Sequence, residues 1–120
     1  MNPTIWKDNL REIKKTFPRF LSIFAIIALG SIGDEKSIEI LIKILGEEDE
    51  SASRAVKALA ETEKSIPSLI NALGNSNLNI RSNASKALVK IGDSALEPLM
   101  EVVNSDNKEV HYWATKTIRE

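Results

Sequence analysis

The sequence contains no cysteine, a single histidine, two tryptophans, one tyrosine and three phenylalanines. Without cysteine there is no disulfide framework, no thiolate metal site and no cysteine nucleophile. Five glycines and four prolines form no Gly-rich phosphate loop, and neither a nucleophile elbow nor a zinc-protease motif occurs. Charge of one sign is also lacking. Sixteen basic against seventeen acidic residues leave a net charge of -1, so the molecule as a whole has no electrostatic footprint for nucleic acid. The longest apolar run, Phe20 to Ile32, is broken by Ser22, Gly30 and Ser31 and falls short of the about 20 residues a spanning helix needs. A cleaved signal peptide is not expected, because the charged start is too long and Gly33-Asp34-Glu35-Lys36 is a poor cleavage context. What is present is 120 residues, 42% hydrophobic and 28% charged, the material of one soluble domain, expected in the cytoplasm.

The chain repeats itself. Ala25-Ile26-Ile27-Ala28-Leu29-Gly30-Ser31-Ile32-Gly33-Asp34 aligns with Ala55 to Lys64 and with Ala84-Ser85-Lys86-Ala87-Leu88-Val89-Lys90-Ile91-Gly92-Asp93, and a fourth copy begins at Ala114. Ala28, Ala58, Ala87 and Thr117 recur at intervals of 30, 29 and 30 residues, a regularity typical of a stacked array. Small residues three apart, such as Ala84 and Ala87, share a helix face and allow a neighbouring helix to approach closely, with Leu88 and Ile91 beside them. This defines a first helix, A, of each unit.

A second helix, B, recurs in one register. Ile38, Leu41, Ile42 and Leu45 match Ile66, Leu69, Ile70 and Leu73, then Leu96, Leu99, Met100 and Val103, each at i, i+3, i+4, i+7. Gly33 and Gly92 suit the left-handed residue that ends helix A, and Asp34 and Asp93 are placed to cap helix B. Unit two has Glu63 and Lys64 instead, which predicts a shorter turn and a weaker cap. Pro67 and Pro98 are expected in the first turn of their B helices. The loops Gly46 to Glu50, Gly74 to Asn77 and Asn104 to Asn107 are short, polar and rich in capping residues.

The segment Ile80-Arg81, Ala84, Ala87-Leu88, Ile91-Gly92-Asp93 followed by Leu96 and Leu99 resembles the HEAT-like repeat of the phycobilisome-lyase type, over about residues 20 to 120. Ala28-Leu29-Gly30 and Ile32-Gly33-Asp34 stand in unit one as in that family. The resemblance implies an all-α solenoid: about three and a half helical hairpins, near 19–46, 47–74, 75–104 and a partial 105–120, behind an N-terminal capping helix over 1–18. The family's basic residue at the start of helix A falls at Ser22, Ala52, Arg81 and His111, so only Arg81 keeps the arginine and a polar ladder along the stack is expected to be incomplete.

Residues 1 to 33 hold five basic and two acidic residues, a local charge of +3. Trp6, Leu10, Ile13 and Phe17 at i, i+4, i+7, i+11 predict an amphipathic helix docked on the first repeat, with adsorption to an anionic membrane as the lesser outcome. At the other end, Val110, Trp113, Ala114 and Ile118 have no following B helix to cover them, which leaves a cap, self-association through the half-repeat, or a longer array.

Candidate chemistry is sparse. His111 has no partners at catalytic or metal-ligand spacing, and Glu47-Glu48-Asp49-Glu50 lacks the alternating ligands and turn glycine of a calcium loop, so it reads as an acidic helix start. No catalytic residue, metal site or cofactor is expected. In such solenoids the B helices line the concave side, which makes Glu39, Lys43, Pro67, Asn71, Glu97 and Glu101 a polar ladder beside a second row, Ile40, Ile44, Ser68, Ala72, Pro98 and Val102. The favoured protein-binding residues are Glu39, Ile40, Lys43, Ile44, Asn71, Glu97 and Glu101, receiving a protein or peptide on a non-enzymatic scaffold. The resemblance also implies two alternatives, an accessory subunit of a tetrapyrrole-lyase complex and a nucleic-acid-binding module. The second is disfavoured by Glu39, Glu97 and Glu101.

Overall fold

The computed structural model describes the backbone from residue 18 and side chains from residue 23. The capping helix expected over 1–18, with Trp6, Leu10, Ile13 and Phe17, lies outside the described residues. The described chain has seven α-helices and no strand: α1 (Pro18–Ile32), α2 (Glu35–Ile44), α3 (Glu50–Ala60), α4 (Ile66–Ala72), α5 (Leu78–Ile91), α6 (Asp93–Val102) and α7 (Lys108–Arg119). Helices α1, α3, α5 and α7 pack successively in one layer, and α2, α4 and α6 in a second. Between them Leu41, Leu45, Leu59, Leu69, Leu73 and Leu88 are fully buried, so the leucine that recurs in each half-unit forms the core.

Three hairpins turn in three ways. In the first, Gly33 adopts a φ of 61°, and its N–H closes α1 on the Leu29 carbonyl at 3.0 Å. Asp34 then caps α2 by accepting the Ser37 N–H at 2.8 Å. The hydrogen bond from the Ser37 side chain, and then that from its backbone, hold the Asp34 carboxyl below the ordinary carboxylate range. A depressed folded-state value means that this carboxylate stabilises the fold at neutral pH and loses the effect as pH falls through that value. Asp34→Ala is therefore expected to melt below the wild type at neutral pH, with the gap narrowing below about pH 4. Parallel melting curves at two pH values check this, and a gap that persisted in acid would contradict it.

In the third hairpin a single residue, Gly92 with φ 83°, separates α5 from α6. Asp93 is consequently the first residue of α6 and makes no side-chain cap bond, unlike Asp34. The early start also moves Pro98. Expected in the first turn, it stands in the interior of α6, where it removes the N–H that would bond the Ser94 carbonyl.

The middle hairpin corrects the expectation of a shorter turn. Glu61 and Thr62 are followed by a 3-10 turn over Glu63–Ser65 before α4 begins, which makes this the longest of the three connections. Thr62 caps the 3-10 turn, its Oγ1 accepting the Lys64 N–H at 3.3 Å. The fully buried Ser65 hydroxyl lies 2.7 Å from the Leu59 carbonyl and 2.8 Å from the Thr62 carbonyl. Both carbonyls also accept a backbone N–H, from Thr62 and Ser65, so the buried hydroxyl finds its own acceptor inside the turn and ties the turn to the end of α3. Pro67 does stand in the first turn of α4, where a missing N–H costs least.

Close approach between hairpins rests on small residues. A Cβ on Gly30 of α1 would lie 3.2 Å from the Ala58 Cβ of α3, and one on Gly74 would lie 2.9 Å from Val110 Cγ2. Ala55, Ala84, Ala87 and Ala114 are fully buried along the A layer. No helix among the described residues is long and apolar enough to cross a membrane.

Candidate functional site

Each B helix has a buried centre, two flanks and an outward strip. The strip is the polar ladder: Glu39 and Lys43 on α2, Pro67 and Asn71 on α4, Glu97 and Glu101 on α6 are all exposed. Its charge changes along the stack. Helix α2 contributes both signs, the α4 pair is neutral, and α6 adds Glu97 and Glu101 to Asp93. Near the start of the B helices the Ser94 hydroxyl donates to Glu63 Oε1 at 2.7 Å, tying the third hairpin to the second.

The second row is not a surface strip. Ala72 is buried, and Ile44, Ser68, Pro98 and Val102 are half-buried, with Ile44 and Val102 packed against the core. The physical reason is helical geometry: residues next to one another in sequence are about 100° apart around the axis, so this row falls on a flank where a B helix meets its neighbour. Ile40, on the first described B helix, is 41% exposed. Among the nominated residues the structure therefore aligns Glu39, Lys43, Asn71, Glu97 and Glu101 in one strip, sets Ile40 at its border, and turns Ile44 inward.

The opposite flank carries Ile38 and Ile42 on α2, Ile66 and Ile70 on α4, and Leu96 and Met100 on α6. On α2 and α4 these residues are buried or half-buried by the next hairpin. On α6, the last described B helix, Leu96 is 44% and Met100 59% exposed. The residues expected to be uncovered at this end are covered instead. Trp113 and Ala114 are buried, while Val110 and Ile118 are half-buried, because they face back to α5 and α6. The Tyr112 ring meets Trp113 edge-on at 5.3 Å, and Lys116 Nζ lies 5.1 Å from the Trp113 ring centre.

The basic positions of the A helices have structural work. Arg81 Nη1 donates to the Asn75 carbonyl at 2.6 Å, and its Nε lies 3.4 Å from Glu109 Oε2 on α7. His111 has the corresponding role in the next unit, its Nδ1 bonding the Val103 carbonyl. A carbonyl only accepts, so Nδ1 carries the hydrogen. The ladder thus keeps a rung at His111 that the sequence pattern assigned to arginine alone. Asp49 caps α3 through the Ser51 N–H at 2.8 Å, and Glu50 pairs with Arg54 at 3.4 Å, which accounts for half of the acidic run. Among the described residues no group of three or more His, Asp or Glu side chains is placed to hold a metal ion.

Two contacts escaped the sequence reading. Asn83 Nδ2 donates to the Leu45 carbonyl at 2.8 Å, and the buried Ser85 and Thr117 hydroxyls meet at 2.7 Å. Thr117 donates its own hydrogen to the Trp113 carbonyl, so Ser85 is the donor to Thr117. A groove of about 300 Å³ between α1 and α3 was also missed; Ile26, Ile27 and Gly30 form one wall and Arg54, Lys57 and Ala58 the other.

No match was found among curated proteins or among solved structures. The sequence profile of the PBS lyase HEAT-like repeat matches residues 23–47, the first described hairpin. That of HEAT repeats matches residues 52–119, more than half of the chain and all the helices from α3 to α7. With its paired helices, alanine-lined layer and recurring turns, the chain belongs to the HEAT-repeat family.

Proposed function

We propose that the protein is a cytoplasmic, non-enzymatic scaffold on which the outward strip of α2, α4 and α6 receives a segment of a protein partner. The observation that carries this reading is the strip itself. Six side chains at repeating positions of three successive B helices are exposed, while the flanks of α4 between them are buried or half-buried in the stack. Such a surface is long, regular and free to take a helix or extended segment laid across it. Its acidic end at Glu97 and Glu101 favours a partner with basic side chains there and disfavours a phosphate backbone. A second reading, an accessory subunit of a tetrapyrrole-lyase complex, draws only on the likeness of residues 23–47 to the lyase-type repeat.

Photocrosslinking tests the scaffold reading. A crosslinking residue at Asn71, on the strip, is expected to capture a defined partner, and one at Lys86, exposed on α5, is not. Capture at Asn71 should fall at least about tenfold with Glu97→Lys and Glu101→Lys together, the size expected when a favourable charge contact becomes repulsive. Equal capture at both positions, or capture indifferent to the charge reversal, contradicts the reading.

A further inference from the structure

Within this stack each B helix seats on a flank of the one before. Ile38 and Ile42 of α2 are buried or half-buried against the next hairpin, and so are Ile66 and Ile70 of α4. The helix that takes the seat turns its opposite flank to it, Ser68 and Ala72 on α4, Pro98 and Val102 on α6. Helix α6 carries the same seat in Leu96 and Met100, and there it is exposed. Beside it run Asp93, Glu97 and Glu101, on a helix without a basic residue, and none of the three has an ion-pair partner among the described residues. The A layer does not repeat in the same way. A Cβ on Gly30 of α1 would lie 3.2 Å from the Ala58 Cβ of the following A helix, and Ala60 and Val89 stand at the equivalent positions of α3 and α5. On α7 that position is the exposed Arg119. A hairpin seated at this end, from a second copy or any other chain, would set its own A helix against the arginine, whereas a single helix meets only α6.

We propose that the free flank of α6 seats one basic amphipathic helix of a protein partner, with apolar side chains at i and i+4 against Leu96 and Met100 and lysine or arginine beside Glu97 and Glu101. The seat rests on the scaffold reading and gives the partner segment its conformation and its anchor. The packing it uses is that by which α4 lies on α2 and α6 on α4. An apolar pair supplies the buried contact, and the unbranched Met100 side chain adapts to the shape laid on it. The unpaired carboxylates select the sign of the partner's charge and fix its register, because an acidic helix placed there would meet like charges along its length.

Methionine gives a direct readout, because the 120-residue chain has only Met1 and Met100. With the methionine methyls labelled, a synthetic amphipathic peptide of leucine and lysine, its leucines at i, i+4 spacing with lysines beside them, is expected to shift the Met100 resonance saturably and to leave Met1 in place. The same peptide with glutamate for lysine should produce no shift, and added salt should weaken the lysine peptide. Leu96→Ser is expected to weaken it at least about tenfold, and Glu97→Lys with Glu101→Lys by a similar factor. These side chains are exposed, so the variants should keep the helicity of the wild type. A glutamate peptide that binds equally well overturns the proposal, as does a Leu96→Ser chain of unchanged helicity that binds as tightly. So does a Met100 resonance that moves with protein concentration in the absence of peptide, which would make a second copy the occupant. A peptide that crosslinks at Asn71 without moving Met100 overturns the seat and leaves the strip reading standing, and a peptide that does neither overturns both.

Discussion

Leu69→Ala lowers the stability of the chain by about 2–5 kcal/mol, the cost of a cavity left by a fully buried leucine that neighbours cannot collapse to fill. Leu69 has no exposed surface and lies on α4, which contacts α2 before it and α6 after it as well as α5 in the other layer. Against a total of about 5–15 kcal/mol for a domain, the loss is a large fraction. Position makes it larger in its effect. In a stack, each hairpin is held chiefly by its neighbours, so weakening the middle one also loosens the hairpins on either side from each other. Urea unfolding followed by helicity is expected to show an earlier and broader transition. Leu69→Met, which conserves volume, should lose less than about 1.5 kcal/mol. A midpoint unchanged by alanine would mean that this leucine is not packed between the two layers.

Trp113→Ala is expected to lose about 3–5 kcal/mol, in the range of a large aromatic removed from a core. Trp113 is only 7% exposed although it belongs to the last helix, and its ring is held at the edge by Tyr112 and overlain by Lys116. Helix α7 would lose its main apolar anchor, and with it the Ser85–Thr117 and Arg81–Glu109 links to α5. The expected sign of this is a first unfolding step confined to α7, seen as amide exchange that accelerates there before it does in α3 to α5. Trp113→Phe should retain most of the stability. A loss spread evenly over the chain would argue against a separately anchored last helix.

The helices and their pairing were legible in the sequence, because the spacing of Leu41, Leu69 and Leu99 and the recurrence of the alanines near every thirtieth residue state them directly. Direction was harder to read. Periodicity shows that Trp113 and Ala114 share an apolar face, but not whether that face looks back to α5 or away from it. The same ambiguity placed Ile44 and Ala72 on a binding strip when they belong to a flank. Turns depended on single residues. Gly33-Asp34 and Gly92-Asp93 look alike, yet the first pair stands between helices while Asp93 is drawn into α6, and Pro98 moves inward with it. The role of Ser65 could not be seen at all, since it depends on where the Leu59 and Thr62 carbonyls point. Of the candidate site, the exposed ladder followed from register alone, and its flanks required the neighbouring helices.

The hydroxyl contact between Ser85 and Thr117 makes the order of the hairpins matter. Alanine surfaces slide easily past one another, but a one-turn displacement of α7 along α5 would strand the Ser85 hydroxyl among apolar atoms at about 1–3 kcal/mol, while Thr117 keeps its bond to the Trp113 carbonyl of its own helix. The pair acts as an index mark between two otherwise smooth helices. Hairpins that read as copies are therefore not interchangeable parts. Were the third hairpin moved to the second hairpin's place and followed by an unchanged α5, Ser85 would come opposite Ala87, which occupies the position of Thr117 and offers no oxygen. The array could be shuffled on paper without altering its period, and it would lose its alignment in the interior, where nothing on the surface would reveal the fault.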